Sequence, residues 1–276
     1  MLLYELLKNA TDRFTDAGFD SPDIEAAYML EEVTGIRHNL LLFNRERILT
    51  AGELAKGEEY LARRLAHEPF QYICGWTQFR ELNLAVSPGC LIPRPETELL
   101  VDFLLENAFP GARVLDLGTG SGAIALSCAF ERPDLAVTAA DISSEALETA
   151  RKNARRCGAE VRFVQSDLFS ALEGEVFDLI GANLPYVTDE EYETLSPEVR
   201  DHEPRLALTA PEEGLALIFK TAEALDTHLV SGGKAAFELS PFQAPRLKDL
   251  LEKLGYNTRI ACDLTGRDRF VFAEKK

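Results

Sequence analysis

Asp116-Leu117-Gly118-Thr119-Gly120-Ser121-Gly122 places three glycines in five positions, directly after the apolar run Val114–Leu117 and directly before a helix-like stretch. Glycines there let the backbone turn tightly and come close to a ligand. Asp141 ends the next apolar run, 23 residues past Gly118. In a doubly wound fold that position receives a ribose hydroxyl pair. The spacing predicts an adenosine-containing cofactor lying across the carboxyl ends of the strands. Gly118, Gly120 and Ala123 also satisfy G-x-G-x-x-A, the dinucleotide fingerprint, so the loop alone leaves NAD and S-adenosylmethionine both open. A glycine turn kept only for packing is the less favoured reading, because it does not require the correctly spaced acid.

The second constellation is Asn183-Leu184-Pro185-Tyr186, immediately after the run Phe177–Ala182 that reads as a fourth strand. It resembles the (Asn/Asp)-Pro-Pro-(Tyr/Phe) signature of methyltransferases that act on planar amino groups. Beside the glycine loop, this favours S-adenosylmethionine over NAD. The chemistry explains the residue types. An amide nitrogen shares its lone pair by resonance, which gives the bond a rotation barrier of about 18–20 kcal/mol and makes the nitrogen a poor nucleophile. Two acceptors aimed at its N–H groups fix its orientation and stabilise the positive charge that grows during attack. Asn183 Oδ1 and the Leu184 carbonyl can be those acceptors, and Pro185 biases Leu184 toward an extended backbone. Tyr186 can pack on the planar group. Single preorganised polar groups of this kind are worth roughly 2.7–4 kcal/mol. Neither a general base nor a metal is required. Asn and Pro also favour plain turns, but the place after a strand and beside the glycine loop favours function.

The elements that must position these residues are legible from Ala112 onward. Strand-like runs Val114–Leu117, Leu135–Ala140, Val161–Val164, Phe177–Ala182, Lys234–Leu239 and Arg269–Ala273 alternate with helix-like stretches Ala123–Phe130, Ser144–Arg156, Glu213–Leu229 and Pro241–Leu254. That alternation predicts an α/β fold with a doubly wound parallel sheet. Residues 1–72 read as a small helical domain, with Ser21-Pro22 marking a helix start. Residues 73–92 read as a β-hairpin linker and 93–276 as the cofactor-binding domain, whose segment Glu96–Ala108 is an amphipathic helix. The 276 residues carry 29 basic and 46 acidic groups, a net charge of −17. Such a balance disfavours direct DNA binding and anionic membranes. Five cysteines without a CxxC pair suit reduced thiols, four dispersed histidines predict no metal site, and no apolar run approaches a membrane span. No leader segment is visible at the N-terminus, and the expectation is a cytoplasmic monomer.

Several stretches together resemble the HemK/PrmC family, the release-factor glutamine methyltransferases. They are Glu68-Pro69-Phe70-Gln71-Tyr72-Ile73, Leu91-Ile92-Pro93-Arg94-Pro95-Glu96-Thr97-Glu98, Val199-Arg200, Glu203-Pro204, Ala207-Leu208 and Gly266-Arg267-Asp268-Arg269, along with both constellations above. The resemblance implies a Rossmann-like class I methyltransferase domain behind a helical domain and hairpin. It implies methyl transfer from S-adenosylmethionine, leaving S-adenosylhomocysteine, to the glutamine amide in the Gly-Gly-Gln motif of class 1 peptide chain release factors. That modification supports translation termination. The implied cofactor residues are Asp116, Gly118, Thr119, Gly120, Ser121, Gly122, Asp141, Asp167, Leu168 and Asn183. The implied catalytic residues are Asn183, Leu184, Pro185 and Tyr186. The Arg94–Glu98 stretch would border the mouth of the site, the acidic Asp189–Glu203 loop would cover the bound peptide, and residues 1–72 would recognise the release factor. Leu184 departs from the family's usual proline, and Leu168 stands where an aromatic is common.

Three competing readings differ in class or target. A nucleic-acid adenine methyltransferase uses the same chemistry on a flipped base, but the charge weighs against it. A ribosomal-protein glutamine methyltransferase is chemically identical. A catalytically silent adaptor would have no use for the glycine loop, Asp141 and Asn183 together.

Overall fold

The computed structural model describes all residues from Met1 to Lys276. The chain divides into two compact units, Met1–Cys74 and Gly75–Lys276. In the first, helices α1 (Leu3–Asp16), α2 (Pro22–Thr34), α3 (Ala51–Leu65) and α4 (Phe70–Cys74) follow one another. Leu3, Leu6, Ala10 and Phe14 meet Ala26, Met29, Leu30 and Val33 in one core, joined by Tyr60 and Leu61. Each set follows the i, i+3, i+4, i+7 spacing of one helix face, so each helix turns that apolar face inward. Thr50 and Glu53 cap α3 reciprocally, with Thr50 N–H donating to Glu53 at 2.8 Å. Ser21 occupies the start of α2, but its side chain makes no capping hydrogen bond; Pro22 at the first helical position does the punctuation.

The second unit opens with an antiparallel hairpin, β1 (Trp76–Phe79) and β2 (Leu82–Ala85). Phe79, Leu82 and Leu84 sit in the same core as Leu100 and Leu104 of α5 (Glu98–Asn107) and Ile124 and Leu126 of α6 (Ala123–Glu131). The hairpin expected as a linker therefore packs into this core. A seven-stranded sheet follows, with β3 (Arg113–Leu117), β4 (Ala136–Asp141), β5 (Arg162–Gln165), β6 (Phe177–Ala182), β7 (Leu229–Glu238), β8 (Asn257–Cys262) and β9 (Asp268–Glu274) in the order β5-β4-β3-β6-β7-β9-β8. The pairs β5-β4, β4-β3, β3-β6 and β6-β7 are parallel, while β9 runs antiparallel between β7 and β8. Helices α7 (Ser144–Cys157), α11 (Ala216–His228) and α12 (Ala244–Lys253) complete the alternation.

Four expectations need correction. The sheet is not wholly parallel, since β9 reverses. Strand β8 has no counterpart among the predicted runs, because none of its side chains is fully buried and its apolar signal is weak. Helix α11 begins at Ala216, not Glu213, because Glu212, Glu213 and Gly214 all hold positive φ, which no right-handed helix contains. The stretch expected as an acidic loop over Asp189–Glu203 instead forms two short helices, α8 (Asp189–Thr194) and α9 (Pro197–His202), followed by α10 (Arg205–Leu208). Thr188 and Glu191 form a reciprocal cap at the start of α8, a signal of the Thr-x-x-Glu spacing.

Strand order reverses at β3, whose neighbours are β4 on one side and β6 on the other. Open α/β sheets bind ligands at the carboxyl ends on either side of such a reversal. Leu117 and Ala182 are register partners at the ends of β3 and β6. The next residues of the two strands, Gly118 and Asn183, are thus delivered side by side.

Candidate active site

A cavity of about 300 Å³ opens at this reversal. Gly118 and Gly120 form its floor, Asp141, Asp167 and Leu168 one side, and Asn183, Leu184 and Pro185 the other. Gly118 has φ +80°, and a Cβ there would stand 2.9 Å from Leu184 Cδ2. Only glycine combines that conformation with the approach of Leu184. The leucine that replaces the family's proline therefore has a packing role: its side chain is buried and closes against the glycine loop.

Asp141 braces the loop from the next strand. Its Oδ2 accepts the Gly120 N–H at 2.8 Å and its Oδ1 accepts the Ser143 N–H at 2.8 Å. A carboxylate offers about four lone-pair sites, so acceptor capacity remains for a hydroxyl donor from the cavity. Burial pushes the Asp141 carboxyl upward, opposed by those backbone N–H groups. The residues fit an adenosine cofactor on that count: a glycine floor without side chains and an acid with acceptor capacity to spare.

Asn183 is held from behind. Its Nδ2 donates to Thr97 Oγ1 at 3.1 Å, and Thr97 Oγ1 donates to Glu238 Oε2 at 2.7 Å. Thr97 ends the 3-10 turn Pro95–Thr97 that leads into α5, and Glu238 ends β7. Both are buried. Burial raises the Glu238 carboxyl to about 7, with the Thr97 hydrogen bond pulling the other way. Upstream in the same segment, Arg94 pairs with the buried Glu203 at 2.6 Å. Glu203 also accepts the Ile92 N–H at 3.3 Å, which ties the Leu91–Glu98 stretch to the segment before α10.

Not every expected cofactor residue reaches the cavity. Asp116, Thr119, Ser121 and Gly122 are buried behind its floor. Asp116 instead organises the loop: its Oδ2 accepts Thr119 Oγ1 at 2.5 Å and the Ala125 N–H at 3.1 Å. Complete burial raises its carboxyl to about 7. Tyr186 also lies off the cavity lining. Its ring packs against the core beneath, and Arg269 Nη1 donates to its hydroxyl at 3.4 Å. Burial first, and then Glu238, push that phenol up to about 12. The Tyr186 carbonyl accepts Gln243 Nε2 at 2.8 Å; the same Nε2 donates to the Glu213 carbonyl at 2.9 Å.

Sequence reasoning missed several parts of the wall. Pro88, Gly89 and Cys90 enter from the hairpin's exit, and Leu206 and Ala207 from α10. Asn153 of α7 links that hairpin to the floor, donating to the Ala85 and Ser121 carbonyls at 3.0 and 2.9 Å. Ser166 was also missed; its Oγ donates to the Leu168 carbonyl at 2.6 Å while Leu168 holds φ 48°. An unpaired bulky residue rarely adopts that conformation, so Ser166 shapes the wall that Leu168 forms. An isolated Ser or Asn carries no pattern that would single it out.

Known proteins resemble this chain along its length. The model of the PrmC N-terminal domain matches residues 5–75, and that of the methyltransferase small domain matches residues 95–199. A release factor glutamine methyltransferase of Deinococcus radiodurans is 39% identical over 277 residues, spanning 100% of this chain and 99% of that protein. One from Vibrio cholerae is 40% identical, spanning 98% of this chain and 96% of its own length. Among solved structures, a methyltransferase from Pyrococcus furiosus covers 79% of this chain and 97% of its own, at TM-score 0.55 and 22% identity. The T. thermophilus 16S rRNA N2 G1207 methyltransferase, solved with AdoMet and guanosine, covers 73% of this chain and 50% of its own, at TM-score 0.53 and 21% identity. These structural likenesses concern the fold.

Proposed function

The chain belongs to the release factor glutamine methyltransferases and transfers methyl groups from S-adenosylmethionine to release factor glutamine, and we propose that its target is the side-chain amide of the Gly-Gly-Gln glutamine in class 1 release factors. The observation that carries this target chemistry is the tethering of Asn183 through Nδ2, which turns Oδ1 away from Thr97 and leaves it to accept. When bound, S-adenosylmethionine supplies a methyl carbon on a positively charged sulfur. Gly118 and Gly120 would hold its amino-acid and ribose portions, Asp141 its ribose hydroxyls, and Asp167 and Leu168 its adenine.

Asn183 Oδ1 accepts one N–H of the target amide, and the Leu184 carbonyl accepts the other. Their joint action holds the planar nitrogen face-on to its electrophile. As the N–C bond forms and the S–C bond breaks, with S-adenosylhomocysteine leaving, positive charge on nitrogen strengthens both hydrogen bonds, so stabilisation grows toward the transition state. The surplus N–H proton then leaves to water. Tyr186, whose ring packs in part against the core beneath, supports the loop.

Radiolabelled methyl transfer to purified release factor tests the reading, compared with its Gln-to-Ala variant, purified ribosomal proteins and duplex DNA. Label on the release factor and its absence from the variant is the expected result. Label on a ribosomal protein alone would reassign the target.

A further inference from the structure

Asn183 can serve a substrate amide in only one of its two side-chain orientations. With Oδ1 toward the cavity it accepts an N–H; turned over, it sets N–H against N–H. The two orientations have nearly the same shape, so packing does not choose between them. Hydrogen bonding does. Thr97 carries a single hydroxyl proton, and that proton goes to Glu238 Oε2 at 2.7 Å. An ionised carboxylate only accepts. With Glu238 ionised, Thr97 therefore meets Asn183 with a lone pair, and only Nδ2 can face it, at 3.1 Å.

We propose that Thr97 and Glu238 are positioning residues, forming a hydrogen-bond relay whose polarity keeps Asn183 Oδ1 turned toward the amide to be methylated. The inference rests on the methyl-transfer reading above. The relay joins three elements: the turn before α5, the end of β7 and the loop after β6. Thr97 is 4% exposed and Glu238 2%, so water does not compete for either group. The charged and titratable groups facing Glu238 are Arg269 of β9, Arg94 and Glu96 of the segment before α5, and Tyr186. If Glu238 gains a proton, it can donate to Thr97. The Thr97 proton is then freed toward Asn183, and the amide is free to turn over. Burial pushes that carboxyl up to about 7, so the reversal is expected to fall within the neutral range.

The test compares T97V, T97S and E238Q with the native chain, using release factor as substrate. T97V keeps the shape and loses the relay; kcat falls about tenfold or more, in keeping with a buried hydrogen bond, while the calorimetric Kd for S-adenosylhomocysteine changes less than about threefold. T97S restores kcat to within about threefold. In the native chain kcat falls as pH drops through about 7, and E238Q, whose amide both donates and accepts, flattens that limb. A second readout needs no turnover: the Asn183 side-chain NH2 signal, identified by its loss in N183A, exchanges slowly in the native chain and T97S and faster in T97V. Equal kcat and exchange in T97V and the native chain would overturn the relay, as would equal damage in T97S and T97V. Failure of the native chain to methylate release factor would instead overturn the functional reading, and the exchange measurement would still judge the relay.

Discussion

Asn183 and Thr97 stand 86 residues apart in the chain and 3.1 Å apart in the fold. The contact joins the two most distinctive stretches of the sequence, Asn183–Tyr186 and Leu91–Glu98. It gives the second stretch a physical reason to exist beyond starting a helix. The proline at 95 sets the turn, and the turn delivers one buried hydroxyl to the back of the reactive loop.

Removing the acceptor should stop the chemistry without undoing the site. N183A is expected to lower kcat by about 10²–10³-fold, the cost of one preorganised polar group. Binding of S-adenosylmethionine should weaken far less, because Asp141 and the glycine floor remain. Turnover by N183A within threefold of the native rate would remove Asn183 from the mechanism.

Asp141 should divide its effect differently. It both faces the cavity and accepts the Gly120 and Ser143 N–H groups. D141A is therefore expected to weaken cofactor binding by about 10–100-fold, as for lost hydrogen bonds to a charged group. Isothermal calorimetry with S-adenosylhomocysteine measures this directly. An unchanged Kd would show that the carboxylate serves only the loop.

Gly214 tests how the reactive loop is held from behind. Its φ is +77°, and a Cβ would fall 1.9 Å from the Tyr186 carbonyl oxygen and 2.4 Å from Gln243 Nε2. G214A must displace one of them and break the Gln243 clamp. Loss of about 3 kcal/mol or more in urea unfolding is expected, from strain together with a buried hydrogen bond. Activity should fall with it, since Tyr186 directly follows Pro185. A native-like midpoint would mean that the 212–214 turn rearranges freely.

Glu238 makes stability depend on pH with an unusual sign. Its folded-state value of about 7 lies above the ordinary 4.5, so the folded chain binds the proton more tightly than the unfolded chain. Its contribution is full below about 4.5 and is lost as pH rises through about 7. E238Q cannot ionise. The stability of E238Q relative to the native chain should therefore grow between pH 5 and 8, on the order of a few kcal/mol. Thermal melts across that range check it; a constant difference would count against a buried, titrating carboxyl. Activity and stability then favour opposite states of one group.

The glycine loop, Asp141 and Asn183 were legible because each lies at a strand end and belongs to a contiguous or regularly spaced pattern. Thr97 was legible only as part of a family stretch, and its partner Glu238 not at all. The two are 141 residues apart, and nothing in the local sequence of a strand-terminal glutamate announces a buried hydrogen bond. Asp116 misled for the opposite reason: a motif acid at a strand end reads as a ligand contact, yet this one spends its oxygen on Thr119 and Ala125. Strand β8 was hidden because its pairing comes wholly from β9, with little apolar burial of its own. The start of helix α11 expected at Glu213 is too early because Glu213 is a good helix former that the turn at Gly214 holds in left-handed backbone.

The placement of β9 has a consequence for biosynthesis. Of the nine strands it is made last, yet it lies between β7 and β8. Until residues 268–274 have been translated, β7 keeps an unpaired edge and residues 257–262 have no strand to join. The helical unit 1–74 has no such dependence on later sequence for its core. A nascent chain would thus carry a finished helical unit ahead of a sheet with an exposed seam. Ribosome-stalled chains truncated before residue 268 should accordingly be open to chaperones and proteases in their second unit alone.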